Sequence, residues 1–134
     1  MIVDTGKVAI NAAITYQTAP EEFDFCLYTN AITWAHDTSI GDLTEAAWAS
    51  YARQNIPAWA TPTIDGSFNG VSEPTTPNIT FDNGEATPQV AVGFFVVGHS
   101  SGILYGGDAF SWPIAIDAMG SRDFAPSFLV NTLP

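Results

Sequence analysis

Positive charge is nearly missing from this chain. Its 134 residues carry three basic side chains, Lys7, Arg53 and Arg122, against 14 acidic ones, for a net charge of −11. Nucleic-acid binding depends on Lys and Arg neutralising phosphates, so three scattered cations exclude DNA and RNA as expected partners. Anionic membrane surfaces are excluded by the same argument. Cysteine is scarce too. Cys26 alone allows no disulfide within the chain and no thiolate cluster for zinc. No run of about 18 apolar residues is present to span a bilayer. The opening stretch MIVDTGKVAINAAITY lacks the basic segment and long apolar core of a secretory signal, so none is expected. Charged residues of both signs make up only 13% of the chain, about half the usual globular share.

What is present is apolar. Hydrophobic residues make up 46%, with 4 Trp and 9 Phe, enough for one well-filled core. The length suits a single domain spanning 1–134. With so little charge, the surface must be covered by Thr, Ser, Asn, Gly, Pro and small apolar groups. Such a surface suits a subunit buried against other subunits, here expected to be a homo-oligomer, with a trimer as the simplest ring. The alternative is a secreted-type β domain with a Thr/Ser face.

Along the chain, residues 6–16 (GKVAINAAITY) present a partial apolar face and predict a helix. Asp4 and Thr5 are positioned to cap it and Pro20 ends it, so 1–20 forms an N-terminal helix or arm. Residues 22–30 (EFDFCLYTN) alternate Phe23, Phe25 and Leu27 with Asp24, Cys26 and Tyr28, which predicts a half-buried strand. Residues 31–43 read as a loop. Asp42 to Glu45 has capping-box form before EAAWA, which predicts a short helix. SYARQNIPAWA turns strand-like, with Pro57 marking an edge. Residues 61–77 read as a long surface loop. A short strand at 78–81, a turn at 82–84, a hairpin formed by 90–98 and 103–110, a short apolar piece at 113–117 and a closing strand at 124–133 complete the pattern. Many short strands separated by turn residues predict an all-β antiparallel sandwich, jelly-roll-like, with a short N-terminal helix.

One pentapeptide invites an enzymatic reading. Gly98-His99-Ser100-Ser101-Gly102 matches G-x-S-x-G, the serine-hydrolase nucleophile elbow. That elbow needs a strand entering the serine and a helix leaving it, with an acid and a histidine following in the chain. Here the residues after Gly102, ILYGG, favour a second strand, and no histidine follows Ser100; the two histidines are His36 and His99. The pentapeptide therefore reads as a hairpin turn, with glycine at a positive φ. The carboxylates fall beside turn residues, at Asp65-Gly66, Asp82-Asn83, Gly107-Asp108 and Arg122-Asp123, as turn formers rather than a glycosidase pair. His36, Asp37 and His99 lack metal-site spacing, and no EF-hand loop pattern occurs. No catalytic, cofactor or metal residue is assigned. Trp34, Trp48, Trp59 and Trp112 suit core packing or interface anchoring, with sugar stacking as the functional alternative; Trp59, flanked by alanines next to a loop, is the one to test for exposure. Arg53, in an apolar segment, is expected to pair with Glu45 or Asp42.

A specific order of motifs runs through the chain. After the helix comes FDFCLYTN, then Glu45 ahead of Tyr51-Ala52-Arg53, then Trp59, Asn78-Ile79-Thr80-Phe81, Gly93-Phe94-Phe95-Val96-Val97, SSGILYGG, PIAI and a final strand. This order resembles a family of small tailed-bacteriophage virion proteins, usually tail or minor structural proteins. Ser50 stands where that family has glycine, and Gly120-Ser121-Arg122-Asp123 only approximates its late Gly-Asp. The resemblance implies a β-sandwich, no enzymatic activity and a place in the virion, assembled in the host cytoplasm. Within that class, a short acidic sandwich suits an outer capsid decoration or cement protein bound to the major capsid protein or other virion proteins. The alternative is a tail-tip or fibre module binding host glycans through exposed Trp and loop carboxylates.

Overall fold

The computed structural model describes residues 1–15, 19, 21–58, 63–64, 70–72, 75, 78–126 and 128–130. In chain order the elements are helix α1 (Asp4–Ile14) and strands β1 (Phe23–Tyr28), β2 (Gln54–Ile56), β3 (Thr63–Ile64), β4 (Gly70–Ser72), β5 (Ile79–Asp82), β6 (Gln89–Gly98), β7 (Leu104–Ile116), β8 (Ser121–Phe124) and β9 (Phe128–Val130). The principal sheet runs β2-β1-β6-β7, and smaller sheets pair β3-β4-β9 and β5-β8. Every pairing is antiparallel, in an all-β, sandwich-like fold with one short N-terminal helix.

The apolar alternation of β1 and β6 builds two core layers. Phe25 and Leu27 face one side, where Ile79 and Phe81 of β5, with Trp48, Ile56 and Ile116, cover them. Aromatic rings lock this layer: Phe25 stacks on Phe94 at 5.1 Å and Tyr51 on Phe81 at 5.6 Å. Cys26 and Tyr28 face the other side, with Phe95, Val97 and Leu104. Val3, Ile32, Trp34 and Leu43 close that layer. The half-buried strand expected at 22–30 is thus buried on both faces. The alternation is real, but the N-terminal segment and the 31–43 loop cover the side expected to meet water.

Other expectations shift for stated reasons. Helix α1 begins two residues early, with Val3 at the N-cap and no side-chain cap bond. Asp4 instead binds Lys7 and His36, and the Thr5 hydroxyl donates to the Leu104 carbonyl. EAAWA is not a helix. The Ala46 N–H donates to the Leu27 carbonyl, and Glu45 bridges Tyr28, so pairing with β1 overrides helix propensity. The capping box forms earlier, from Ser39 to Asp42 around a single 3-10 turn. β2 is an edge strand followed at once by Pro57, as expected. Within 61–77, read as one loop, β3 and β4 pair with each other; the rest, apart from Thr75, lies outside the described residues. Of the closing strand expected at 124–133, β9 covers Phe128–Val130; β8 begins earlier, at Ser121, and reaches it only at Phe124, and 131–134 lie outside the described residues.

The hairpin of β6 and β7 is present, but β7 runs on through the apolar piece expected to stand alone. Between the pairs Ala91↔Ile114 and Gly93↔Ala109, the single residue Val92 faces residues 110–113 of β7. This is a large β-bulge on an edge strand, with Pro113 inside it. The opposite end of the same edge is covered by the N-terminal segment. Ile2 bridges Gly106, the Val3 N–H donates to Tyr105, and Met1 exchanges both backbone bonds with Gly107. Gly106 has to be glycine, because a Cβ there would collide with the Met1 carbonyl. No helix among the described residues is long and apolar enough to cross a membrane.

Candidate functional site

The pentapeptide GHSSG connects β6 to β7, so strands both enter and leave it. Gly102 has φ 68°, the left-handed conformation that the turn requires. The Gly102 N–H donates to the Gly98 carbonyl at 2.8 Å, which closes the turn.

The serines answer to Glu21, which lies just before β1. One Glu21 oxygen accepts the backbone N–H groups of Ser100 (3.1 Å) and Ser101 (3.0 Å). The other accepts the Ser101 hydroxyl at 2.7 Å and the Tyr105 phenol at 3.1 Å. The Ser101 oxygen in turn accepts the Ile103 N–H. Partial burial raises the Glu21 pKa, but these hydrogen bonds outweigh it and hold the carboxyl below its usual range. Burial, then the bond to Glu21, pushes the Tyr105 phenol up to about 12. A Cβ at Gly98 would meet the Glu21 carboxylate and the Ser101 hydroxyl, so a larger residue there would require both side chains to shift. Two adjacent N–H groups aimed at one oxygen resemble an oxyanion hole in composition. Here that oxygen belongs to a fixed carboxylate.

His99 turns to a different partner. Its Nδ1 lies 2.7 Å from Asp24 Oδ1, and the Asn55 amide donates to the same oxygen at 3.3 Å. The hydrogen bond with Asp24 raises the His99 pKa. The Ser101 hydroxyl is bound to Glu21 and His99 to Asp24, while Ser100, the serine of the G-x-S-x-G match, gives Glu21 its backbone N–H; among the described residues no hydrogen bond joins His99 to either serine. Glu21 has no signal in the local sequence; it joins the turn from 80 residues away.

The remaining candidates are dispersed. His36 binds exposed Asp4, far in sequence from the His99–Asp24 pair, and no group of three metal-ligating side chains occurs among the described residues. Asp82, Asp108 and Asp123, expected in turns, lie exposed in β5, β7 and β8; Asp65 is outside the described residues. Cys26 is fully buried, and burial pushes its thiol far above neutral pH, so it does not ionise there. Arg53 grips Glu45 with a two-pronged contact, Nε at 2.9 Å and Nη2 at 2.7 Å, and this bond raises the guanidinium pKa further. Asp42 takes no part in that contact. Trp48 is buried and donates to the Asp82 carbonyl; Trp34 donates to the Tyr28 hydroxyl. Trp59 lies outside the described residues. Among the described tryptophans the exposed one is Trp112, 81% accessible on the β7 bulge, with Met119, 74% accessible, on the following turn at φ 51°.

A cleft of about 1160 Å³ opens between α1 and the GHSSG turn. Val8, Ala9, Ala12, Ala13, Ile40 and Ile103 make it mainly apolar, and Asp4 and Glu21 stand at its polar margin. No protein-family model matches the chain, and no curated protein matches it either.

Proposed function

We propose that the protein is a non-enzymatic structural subunit of a tailed-bacteriophage virion, an outer capsid decoration protein that binds the shell. The observation that carries this reading is apolar surface held out on defined backbone. Trp112 projects from a bulge, and Met119 sits in a left-handed turn conformation that side chains rarely adopt. Leaving an indole and a thioether in water is unfavourable for an isolated domain, and both residue types are enriched at protein interfaces. The sparse charge, the binding of the GHSSG turn to Glu21 and the motif order described above support the same assignment. The subunit works as a homo-oligomer, a trimer in the simplest arrangement, against the major capsid protein or other virion proteins. It binds neither nucleic acid nor membrane, and it resides in the virion after assembly in the host cytoplasm.

Gel densitometry of purified virions tests this. A decoration protein is present in hundreds of copies, as repetition over a capsid lattice requires. A few copies, or immunolabelling confined to the tail, refutes it. The exposed indole also favours a second reading, a tail-tip or fibre module that stacks Trp112 on host sugars. In that case a glycan array gives binding that Trp112→Ala removes.

A further inference from the structure

We propose that Asn83 is a chemical modification site that the fold holds shut. Deamidation there proceeds only when the turn between β5 and β6 opens, and the carboxylate it leaves bars the chain from closing again. Asn83-Gly84 is one of two Asn-Gly pairs in the chain; the other is Asn69-Gly70. In a flexible chain such a pair reacts with itself, because glycine has no Cβ to keep its backbone nitrogen away from the asparagine side chain. The Gly84 nitrogen gives its proton to solvent hydroxide and bonds to Asn83 Cγ. The Cγ–Nδ2 bond breaks, and Nδ2 takes a proton from water and leaves as ammonia. Water then opens the imide ring, on one side to aspartate and on the other to its β-linked isomer. The sum is one water consumed and one ammonia released, with no oxidant or reductant.

In the folded chain every group of that reaction is held. The Gly84 N–H, whose nitrogen would attack, donates away from the side chain to the Ala49 carbonyl at 2.7 Å. Asn83 itself is 2% accessible. Its Nδ2 donates to the carbonyls of Thr87 (3.0 Å), Ile116 (3.1 Å) and Asp117 (3.0 Å). Its Oδ1 accepts the Glu85 N–H at 2.9 Å, and its own N–H reaches the Gly120 carbonyl at 2.8 Å. Three stretches distant in sequence thus close on one side chain. The same closeness leaves little room at position 84. A Cβ there would meet the Ser50 hydroxyl and lie 3.1 Å from the Ala49 carbonyl oxygen. The pair that reacts in the open chain is the pair that the closed turn accommodates.

Deamidation inverts the hydrogen bonding of this cage. The amide hydrogens serve three carbonyl oxygens, and a carboxylate has no hydrogen to give them. It would aim an anion at three acceptors in a chain of net charge −11, with Asp82 and Glu85 beside it in sequence. Burying a charge without a partner costs far more than burying a bonded amide. The β-linked isomer adds a backbone atom, which moves the N–H groups of positions 83 and 84 off Gly120 and Ala49. A reversible opening of the turn is thereby made irreversible by a change of covalent structure.

Peptide mass spectrometry follows both Asn-Gly pairs while the purified chain ages at mildly alkaline pH, folded in buffer or denatured in guanidinium chloride. In denaturant, Asn83 and Asn69 convert at comparable rates. In buffer, Asn83 converts at least about a hundred-fold more slowly than in denaturant, because reaction waits on opening of a fully bonded turn. Denatured samples aged to partial conversion are then returned to buffer, and native chains are collected by size exclusion. That native fraction is depleted at least about tenfold in chains deamidated at Asn83, the consequence of an unpaired buried charge. Asn83→Asp makes one product directly, and its Tm lies at least about 10 °C below that of the wild type. The partition of aged wild-type chains reads the same step without relying on that variant to fold. Equal Asn83 rates in buffer and denaturant overturn the closed site, and no conversion in denaturant overturns the site altogether. Chains deamidated at Asn83 that refold in proportion to their abundance, or Asn83→Asp melting with the wild type, overturn the barrier to closing.

Discussion

Tyr51 occupies the place of a missing strand, and its hydroxyl is a sensitive point of the fold. β2 pairs with β1 only from Phe23 to Phe25. Beyond that, the 44–46 segment binds the Leu27 carbonyl but not its N–H, which donates to the Tyr51 hydroxyl at 3.1 Å. The hydroxyl in turn donates to Glu45 at 3.1 Å, and Arg53 grips the same carboxylate. Tyr51→Phe keeps the ring stacked on Phe81 and deletes only the oxygen. Leu27 is fully buried, so its N–H loses its partner where water does not reach. An unsatisfied buried donor costs about 1–3 kcal/mol; we take about 2. Glu45 loses one donor but keeps Arg53, which adds little. For a chain of 134 residues, an unfolding entropy of about 2.1 cal/mol/K per residue converts this into a Tm lower by about 7 °C. Urea titration and calorimetry of Tyr51→Phe should agree on that figure, with the m-value unchanged. A loss below about 0.5 kcal/mol would show that Leu27 finds another acceptor, and the account of Tyr51 as a strand substitute would be wrong. Arg53→Ala is the control. Its partner Glu45 is 28% accessible and Arg53 39%, so hydration replaces much of the ion pair and the cost is about 1 kcal/mol.

Ser100→Ala should change stability by less than about 0.5 kcal/mol, whereas Ser101→Ala should cost about 1, since its hydroxyl both donates and accepts; urea unfolding separates them. Gly102→Val has open space for its side chain but not the φ of 68°, so strain alone should cost about 1–3 kcal/mol. Gly106→Ala should push the N-terminal segment off β7, seen as faster amide exchange at Val3 and Gly107 with β1 and β6 still protected. The bond with Asp24 raises the His99 pKa in the folded state, so its contribution is fully present below the unfolded value near 6.5 and fades as pH rises through the folded one. The stability difference between wild type and His99→Gln should therefore shrink from pH 5.5 to pH 9, and a difference that grows would contradict the pairing.

The strands were legible where they depend on local pattern. Residues 90–98 carry enough Val and Phe, and the turn after them enough Gly and Ser, that the hairpin and the absence of a helix after the serines follow directly. Pro57 marked the edge of β2 because proline lacks the donor that an inner strand needs. Features set by distant partners were not legible. EAAWA has helical propensity, but the free edge of β1 offers it hydrogen bonds and a buried face. Asp24, Cys26 and Tyr28 alternate as a solvent face would, and only the returning N-terminal segment makes that face interior. Glu21 became part of the turn through contacts that no window of sequence contains. The Glu45–Arg53 pair was accessible to reasoning because so few cations were available to choose from. Trp59, singled out for an exposure test, lies outside the described residues, and the bulge that exposes Trp112 has no local signature beyond Pro113.

The pairing of β1 with β6 also sets an order of events during synthesis. Phe23 meets Gly98, and Tyr28 meets Gly93. The stretch FDFCLY must therefore wait for some 65–75 further residues before its principal neighbour exists. At about 5–20 residues per second, that interval is roughly 3–15 s. Throughout it, a strand with two apolar faces has no native partner on the β6 side. High contact order of this kind slows folding and leaves nascent chains open to mispairing. Expression at lower temperature, or with a holdase chaperone in excess, should therefore raise soluble yield more than any single stabilising substitution in the finished fold.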